Sequence, residues 1–572
     1  MSNENFQAVT LSAKRPWMKY YPQEFHNVPI PQSSLINYVK DNVKDFNIPT
    51  IHYYGGDLTF NDIFTKVDTI AKALKKLGCG EGDLIPVFLQ AVPEFIILLL
   101  AVEKIGAALL CRDGTPEESV EAIKNSNSPI LFAHDYLSKK EEEKFLAETQ
   151  LKQIITVSPY TSADKSKMAT HIINSIESRY PDMTACNPNN ITWEQLLVLG
   201  ESYSGSYEAS SDPSRPLLCA YTSGSTGPSK QVIHSATNII GIIHQAAVFT
   251  ASIDFRLSWL VTCLPPALVA VTVSMILAPL CTNKLLILDP FCDVNDVDLE
   301  MMNYKPNCWA LIPQFVDVLV SSTRIPDDFS IDFLYAVGSG AEALNNKQIR
   351  RMQKFLKDHN CNSFFSVGYG MSEGGSAFTM PCEAVSIEDC CCGMPMPATT
   401  LGIFEHGTQN EVEPGKIGEI CKHGPGVMLS YHDEETNHKV LQLHNDNKIW
   451  VHTGDYGYMT EDGVLYVLGR GLLERFGGGY LFALPMENKI ITLPGIEDGF
   501  FVIVPDKEKE GYFLPYLYLV LEKNIKLQDI EAAIYDTLEP HERPVRIKLI
   551  SKRPYFHSKT NRIGLAKEIL NE

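Results

Sequence analysis

A chain of 572 residues is too long for a single hydrophobic core, so its length predicts at least two domains, and a hydrophobic content of 45% is enough to fill their cores. Its 49 Lys and Arg residues against 69 Asp and Glu residues give a formal net charge of −20. This acidic balance argues against a general role on nucleic acid or on an anionic membrane surface, so any phosphate that the protein binds must be held by a local site.

Targeting and redox signals predict a cytoplasmic protein. The N-terminal run "MSNENFQAVTLSAKRPW" lacks the apolar core of a signal peptide. The 14 cysteines are scattered singly except for Cys390–Cys392, and no CxxC pair offers the spacing of zinc ligands. We therefore expect the cysteines to be reduced packing residues rather than metal ligands or disulfide partners.

The first predicted elements alternate between strand and helix. "DLIPVFLQ" is typical of a buried strand, "VPEFIILLLAVEKIG" of a helix and "AALLC" of the next strand. The run "GTPEESVEAIKNS" predicts a helix with Thr115 as N-cap, Pro116 in the first turn and Glu118 completing a capping box, before the strand "PILFAHD". This order predicts an α/β fold built on doubly wound sheets.

A stretch rich in small hydroxyl residues comes next. The segment Gly200–Pro216 is predicted to be a surface loop that leads into "LLCAYTSGSTGPSKQVIHS". Here "LLCAY" predicts a strand, and "TSGSTGPSK" predicts a loop whose hydroxyls and backbone N–H groups cradle an anion, with Gly224 and Gly227 permitting tight turns. A plain solvent turn without a ligand is the alternative for this loop taken alone.

The same loop differs from a Walker-type phosphate loop. That motif ends in Gly-Lys-Ser or Gly-Lys-Thr, because the lysine and the hydroxyl act on phosphate and Mg²⁺, whereas this loop ends in Ser229-Lys230-Gln231. The sequence therefore disfavours a kinase-like or GTPase-like site.

Residues 257–283 carry no charge and are numerous enough to span a bilayer. Pro265 and Pro266 interrupt the run, and Ser, Thr and Asn residues dilute it. We therefore predict a buried strand followed by a buried helix in preference to a membrane span.

Five motifs in order carry a resemblance to a known family. "YTSGSTGPSK" resembles the phosphate loop of the adenylate-forming ligases, the superfamily of acyl-CoA synthetases, aryl-CoA ligases, peptide-synthetase adenylation domains and firefly luciferase. "GSGAEAL" (338–344) resembles its adenine-side segment, "GYGMSEGG" (368–375) its Tyr-Gly-x-Thr-Glu motif, "HTGDYGYMTEDGVLYVLGR" (452–470) its ribose-binding segment and "HSKTNRIGL" (557–565) its C-terminal lysine loop. Five matches in the family's order are far more specific than any one of them.

The resemblance implies a role for each matched residue. In this family a carboxylate and ATP react to give an acyl-adenylate and pyrophosphate, so the site stabilises negative charge during an in-line displacement at phosphorus. The implied phosphate-binding residues are Thr222, Ser223, Gly224, Ser225, Thr226, Gly227 and Lys230. The implied adenine-side residues are Gly340, Ala341, Glu342, Tyr369, Gly370 and Met371, with Tyr369 stacked on the base.

The remaining implied roles concern the reacting groups and the ribose. Ser372 would bond the α-phosphate, and Glu373 would ligate Mg²⁺, because a hard cation prefers carboxylate oxygen. Asp455 and Arg470 would hydrogen-bond the ribose hydroxyls. Lys559 is the implied catalytic lysine of the C-terminal loop, although Ser558 stands before it where the family usually has glycine.

Two domains are implied by the same resemblance: residues 1–470 as the AMP-binding domain with the ATP and carboxylate sites, and residues 471–572 as a mobile, small α+β domain. The hinge between them stays open. Leu472 and Leu473 stand where the family has Asp or Lys, and one extra residue before the Pro-x-Glu motif brings Glu474 into that position. The run Gly477–Gly479 is compatible with a close approach by a pantetheine chain and also with a plain flexible turn.

Departures near the uncharged stretch bear on the substrate. Many acyl-CoA synthetases have Pro-x-Phe-His with a gating histidine, and here the run is Pro265-Pro266-Ala267-Leu268. Peptide-synthetase adenylation domains place an Asp near this point to pair with the amino group of an α-amino acid, but "PPALVAVTV" offers no carboxylate. Because a buried ammonium without a partner is costly, we expect an uncharged acyl or aryl tail.

The implied function is the activation of a small carboxylic acid with ATP and Mg²⁺, followed by transfer of the acyl group to the thiol of CoA. The alternative is a stand-alone adenylation enzyme that loads an acyl or amino acid onto the phosphopantetheine of an acyl or peptidyl carrier protein. A noncatalytic nucleotide-binding relative is the remote alternative, and the retention of Glu373, Asp455, Arg470 and Lys559 argues against it.

Overall fold

The computed structural model describes residues 10–27, 29–180, 189–222, 229–250, 253, 255–381, 388–473, 479–556 and 559–572. Within these residues the chain forms two large mixed sheets with helices, one antiparallel sheet and a smaller C-terminal α+β unit. The predicted fold class, a large α/β part followed by a small α+β part, is confirmed.

The first large sheet contains the alternating elements predicted early in the chain. In spatial order its strands are Ser430–Tyr431, Gln231–Ser235, Pro216–Tyr221, Ala108–Cys111, Leu84–Phe88, Ile130–His134, Gln153–Val157 and Ile191–Thr192. The strands from Pro216–Tyr221 onward are parallel, and the pairs involving Gln231–Ser235 are antiparallel. The helices in this part of the chain are Pro93–Ile105, Pro116–Ser126, Lys139–Glu148, Thr170–Glu177 and Trp193–Glu201. The capping box predicted at Thr115 and Glu118 is present.

The second large sheet holds the uncharged stretch. In spatial order its strands are Phe365–Val367, Ala336–Ser339, Cys308–Leu311, Ser258–Thr262, Leu285–Asp289, Pro49–Tyr53 and Gly56–Thr59, and all pairs but the last are parallel. The helices along this part of the chain are Leu35–Asn42, Phe60–Lys76, Ala236–Ala246, Val297–Tyr304, Pro313–Ser321 and Asn346–Asp358.

The prediction for residues 257–283 is confirmed, because the strand Ser258–Thr262 is followed by the π-helix Val271–Leu277 and the helix Ala278–Cys281, all largely buried. In the part of the chain that the structure describes, no helix has both the length and the apolar surface needed to cross a membrane.

One hydrophobic core joins the two large sheets. The helix Pro93–Ile105 is apolar on nearly all sides and is accordingly buried, against the helices Leu35–Asn42 and Phe60–Lys76 and the strand Ala108–Cys111. The described cysteines are free and most of them are buried. Their role as reduced packing residues stays a prediction.

A third, antiparallel sheet was not predicted. It consists of Thr400–Phe404, Gly418–His423, Ile449–Met459 and Leu441–Leu443, with Leu465–Arg470 paired to Ile449–Met459. The helix Glu434–Val440 lies between its strands in sequence. Its separate core includes Trp17, which is 0% exposed and lies in the short helix Pro16–Tyr20, after the helix Leu11–Lys14. The doubly wound pattern therefore describes the two large sheets and not the whole N-terminal part.

The C-terminal unit begins with the short strands Leu472–Leu473 and Tyr480–Leu481. It continues with the three-stranded sheet Ile496–Pro505, Phe513–Leu521 and Arg546–Leu549, the hairpin Tyr555–Phe556 with Lys559–Thr560, and the helices Ala483–Ile490, Leu527–Thr537 and Arg562–Asn571. It has its own hydrophobic core. The domain boundary at residue 470 and the hinge stay predictions, and Glu474, Gly477 and Gly478 lie outside the described residues.

A buried ion pair within this unit provides a test of its stability. Arg553, 8% exposed, donates from Nε and Nη2 to the two carboxylate oxygens of Asp498, at 2.9 and 2.7 Å. We expect Arg553→Met to lower the free energy of unfolding by about 3 kcal/mol at pH 7, because it leaves a buried carboxylate without its counter-charge. Chemical denaturation of the variant and the parent measures this difference.

The pH dependence of that difference has a defined sign. Burial acts to raise the pKa of Asp498, but the Arg553 charge outweighs it and lowers the pKa below its ordinary value. The pair's contribution is therefore present at neutral pH and is lost as the pH falls through this lowered pKa, so the variant and parent should converge in acid. Lys548→Met, which removes the exposed pair with Glu572, is the control with little expected change. Equal stability of Arg553→Met and parent at pH 7 would contradict the assignment.

Candidate active site

Two neighbouring parallel strands of the second sheet end at the candidate site. Ser339 of Ala336–Ser339 lies opposite Val367 of Phe365–Val367, so the segments that follow the two strands meet at the same edge of the sheet. The first segment continues as Gly340–Glu342 and the second as Tyr369–Glu373. Ala341 has a φ of 67°, which turns the chain sharply before Glu342. The structure thus brings together the predicted adenine-side segment and the motif that contains Glu373.

Glu373 lies in the short turn Ser372–Gly374, which follows Gly370 and Met371, and it is 7% exposed. The hydroxyl of Tyr431 donates to Oε1 of Glu373 at 2.5 Å. Burial and the Glu373 charge both raise the pKa of the Tyr431 phenol, so it remains a donor at neutral pH. Among the described residues, no hydrogen bond reaches the other carboxylate oxygen of Glu373. A carboxylate with one oxygen held by a hydrogen bond and the other available suits Mg²⁺, which prefers oxygen ligands.

The ends of the predicted phosphate loop are described, whereas Ser223, Gly224, Ser225, Thr226 and Gly227 lie outside the described residues. The N–H of Thr222 donates to the carbonyl of Lys230 at 2.8 Å, and the N–H of Lys230 donates to Oγ1 of Thr222 at 3.0 Å. Nζ of Lys230 lies 5.2 Å from the centroid of the Tyr431 ring. The base of the loop therefore faces the residue that holds Glu373.

The ribose-side residues lie on paired strands of the third sheet. Asp455 is opposite Arg470 in register, and Nε of Arg470 donates to Oδ1 of Asp455 at 2.9 Å. The hydroxyl of Tyr369 donates to Oδ2 of Asp455 at 2.7 Å, and its ring packs edge to face against Phe378. Burial, followed by the Asp455 charge, raises the pKa of Tyr369 well above its ordinary value. The predicted residues Tyr369, Asp455 and Arg470 thus form one cluster.

The C-terminal hairpin, whose second strand is Lys559–Thr560, brings Lys559 to the side of the site where Glu342 lies. Burial lowers the pKa of Lys559, and the charges of Glu342 and Asp455 act in the opposite direction, so the ammonium lies within the field of both acids. Glu342 also accepts a hydrogen bond from the N–H of Thr560 at 2.8 Å and one from the guanidinium of Arg562. Residues of both predicted domains therefore meet at Glu342.

Further contacts hold the C-terminal unit in this orientation. The N–H of Asn346 donates to Oδ1 of Asn488 at 2.9 Å, and Nζ of Lys347 donates to the carbonyl of Ile496 at 2.7 Å. The Tyr555 hydroxyl donates to Asp317. Together with the hydrogen bonds from Thr560 and Arg562 to Glu342, these contacts hold the C-terminal unit against the large α/β part.

Several residues at the site were not predicted, because their role appears only in the folded chain. Arg112, after the strand Ala108–Cys111, donates to Oγ of Ser229 at 3.0 Å at the end of the phosphate loop. Glu419 accepts from the N–H of Gly454 at 3.0 Å and pairs with Nδ1 of His452 at 3.0 Å, which supports the segment before Asp455. Cys421 lies beside this pair, and the three side chains are close enough to hold an ion, but hydrogen bonds already occupy both oxygens of Glu419. No motif in the sequence marks Arg112, Glu419 or Tyr431, and His452 lies in the ribose-binding motif without an implied role of its own.

Comparison with known proteins relates this chain to one enzyme family. A family model described as AMP-binding enzyme matches residues 41–432. A 4-coumarate–CoA ligase of Vanilla planifolia is 22% identical, with 94% of this chain and 90% of the relative covered. A long-chain-fatty-acid–CoA ligase of Bacillus subtilis is 23% identical, with 93% of this chain and 94% of the relative covered.

A solved structure shares the fold. The o-succinylbenzoate coenzyme A synthetase of Bacillus subtilis, in complex with ATP and magnesium ion, matches with a TM-score of 0.69 and 19% identity. The match covers 93% of this chain and 99% of that chain. The likeness in fold therefore includes both the large α/β part and the small C-terminal unit.

Proposed function

Because this chain belongs to the AMP-binding enzyme family, we propose that it activates a carboxylic acid with ATP as an acyl-adenylate and then transfers the acyl group to the thiol of coenzyme A. The observation that carries the proposal is the cluster of Tyr369, Asp455 and Arg470. The hairpin that contains Lys559 is held beside it, because the N–H of Thr560 donates to Glu342. A nucleotide-binding cluster needs the first three, whereas a lysine brought in by a second domain adds a group suited to catalysis.

In the first half-reaction a carboxylate oxygen attacks the α-phosphorus and pyrophosphate leaves. Asp455 and Arg470 bind the ribose hydroxyls, and Tyr369 faces the base. Lys230 adds positive charge at the end of the phosphate loop, and the Ser372 hydroxyl donates to the α-phosphate. Glu373 would hold Mg²⁺, which would supply positive charge against the phosphates. The Lys559 ammonium lies where the attacking carboxylate and the α-phosphate bring their negative charges together.

The acceptor is proposed to be coenzyme A because the relatives named above are CoA ligases. A carrier protein with a phosphopantetheine arm presents the same thiol chemistry and is the second outcome to be measured. After adenylate formation the thiol attacks the acyl carbon and AMP leaves, so the two acceptors differ only in what extends beyond the pantetheine.

ATP–pyrophosphate exchange across a panel of acids tests the proposal. Exchange that depends on an acid and on Mg²⁺, followed by formation of AMP and a thioester on addition of coenzyme A, supports both half-reactions. If none of the acids in a panel that includes aryl and fatty acids supports pyrophosphate exchange, the result contradicts the proposal. It then favours a noncatalytic nucleotide-binding protein.

The same panel tests the substrate class. Residues 257–283, which include the strand Ser258–Thr262, contain no carboxylate. An α-amino acid bound beside them therefore finds no negative charge there to pair with its ammonium group. We expect straight-chain or aryl acids to support exchange in preference to the standard amino acids, by about tenfold or more, because an unpaired buried ammonium is costly. Mass-spectrometric detection of the acyl-adenylates identifies the preferred acid. Exchange supported by an amino acid and by no other acid in the panel would contradict this expectation.

A further inference from the structure

The turn Ser372–Gly374 presents three consecutive carbonyl groups to three different parts of the chain. The carbonyl of Ser372 accepts from Nε2 of His234 at 2.8 Å. The carbonyl of Glu373 accepts from the N–H of Met428 at 2.9 Å, and that of Gly374 accepts from Nζ of Lys422 at 2.8 Å. The two outer carbonyls are thus held by basic side chains, one on each side of Glu373.

Lys422 is buried more deeply than packing alone requires. It lies on the strand Gly418–His423 with an exposure of 0%, donates a second hydrogen bond to the carbonyl of Pro425 and lies 5.1 Å from the centroid of the Phe378 ring. Burial lowers its pKa to about 7. An apolar side chain of the same length would fill this space without taking a charge out of water. The hydrogen bonds to the carbonyls of Gly374, in the turn, and Pro425 therefore account for the amine.

His234, on a strand of the first large sheet, is likewise a buried basic residue that donates to the turn. It lies on Gln231–Ser235 with an exposure of 0%, and burial lowers its pKa to about 4, so the ring is neutral. A carbonyl only accepts, so the proton is on Nε2 and Nδ1 is an acceptor. No described group donates to Nδ1. A buried acceptor is left unsatisfied while the bond to Ser372 is made, which indicates that this bond is the reason for the histidine.

We propose that Lys422 and His234 are positioning residues that hold the backbone on both sides of Glu373 and so orient the Glu373 carboxylate and the Ser372 hydroxyl for MgATP. With the peptide planes of Ser372 and Gly374 anchored, Tyr431 has one geometry in which to hold the carboxylate. The inference rests on the proposed function, because it assumes that Glu373 and Ser372 face the nucleotide.

Four variants test the proposal. Lys422→Met and His234→Leu remove the donors with little change in volume. His234→Gln keeps a donor near the position of Nε2 and is the conservative partner of His234→Leu. Lys284→Met is the matched control, because Lys284 is also a buried lysine, its pKa is lowered by burial to about 8, and it precedes the strand Leu285–Asp289 at the edge of the sheet opposite the site.

Calorimetric titration with ATP at several Mg²⁺ concentrations, in the absence of any acid, is the primary measurement, and thermal unfolding of the ligand-free chain is the second. We expect Lys422→Met and His234→Leu to weaken Mg²⁺-dependent ATP binding by about 10-fold or more, as loss of outer partners of a metal ligand usually does. His234→Gln should stay within a few-fold of the parent, and Lys284→Met should bind as the parent does. The melting temperature of Lys422→Met should not fall below that of Lys284→Met.

The outcomes separate the inference from the proposed function. A parent chain that binds no MgATP overturns the proposed function and the inference with it. A parent that binds MgATP, with Lys422→Met and His234→Leu binding equally well, overturns the inference alone. Weaker binding that occurs only together with a lower melting temperature, in His234→Gln as much as in His234→Leu, identifies a structural role and also overturns it.

Discussion

Replacement of Lys559 by alanine is expected to lower the rate of acid-dependent pyrophosphate exchange by about 10²–10³-fold, the usual effect of removing one preorganised electrostatic partner of a transition state. The ammonium lies in the field of Glu342 and Asp455, beside the cluster proposed to bind the nucleotide. Adenylate formation brings a carboxylate against the α-phosphate, where this charge acts. Exchange rates of purified parent and variant, measured with the preferred acid, give the fold decrease.

The second half-reaction separates catalysis from general damage. We expect Lys559→Ala to convert a chemically prepared acyl-adenylate to thioester at a rate near that of the parent, because the attack of a thiol on the acyl carbon distributes charge differently. Lys567→Ala, at an exposed position on the helix Arg562–Asn571, is the control for a surface lysine of the same segment. Exchange by Lys559→Ala within a few-fold of the parent would show that the lysine is misassigned. If Lys559→Ala lowers the rates of adenylate formation and thioester formation equally, Lys559 does not act in adenylate formation alone.

The second large effect is expected for Glu373→Gln. The amide oxygen can still accept the hydrogen bond from Tyr431, so the shape of the turn is kept while the negative charge is lost. Adenylation should fall by about 10–100-fold at a fixed Mg²⁺ concentration, with a rise in the concentration needed for half-maximal activity, because a neutral oxygen is a poorer ligand for a hard cation. A Mg²⁺ titration of the exchange rate measures both quantities.

Tyr431→Phe is the matched variant for this experiment. It leaves the Glu373 charge and removes only the hydrogen bond that orients the carboxylate, so its effect should be smaller than that of Glu373→Gln. Chelation of divalent cations should abolish exchange by the parent. Glu373→Gln with an unchanged rate at every Mg²⁺ concentration would refute the role of Glu373 as the metal ligand.

Local patterns predicted several elements of the two large sheets. The strand Leu84–Phe88, the helix Pro93–Ile105 and the capping box at Thr115 follow from periodicity and from residues three positions apart, which are properties of short segments. The antiparallel sheet of Thr400–Phe404, Gly418–His423 and Ile449–Met459 was missed. Its strands do not alternate regularly with helices, so the pattern that identified the first large sheet is absent from this part of the sequence.

The candidate site also contains residues that local motifs predicted and residues that they did not. Tyr369, Asp455, Arg470 and Lys559 were predicted from motifs, and the structure brings them together. Their catalytic and binding roles stay predictions. The partners that hold the site, such as Tyr431 on Glu373 or Arg562 on Glu342, are distant in sequence from the groups they contact. No spacing rule connects such pairs, because they are created by the packing of one sheet or domain against another.

The placement of Trp17 has a consequence for the synthesis of the protein. This side chain belongs to the core formed with Phe378, Leu401 and Leu465, and the added Cβ of any other residue at Gly463 would collide with its ring. On a ribosome that adds about 5–20 residues per second, the N-terminal segment emerges tens of seconds before its partners are made. During that interval an exposed tryptophan and its neighbours need another binding partner or remain in water. The segment around Trp17 therefore reaches its final position only after the strand Leu465–Arg470 has been translated.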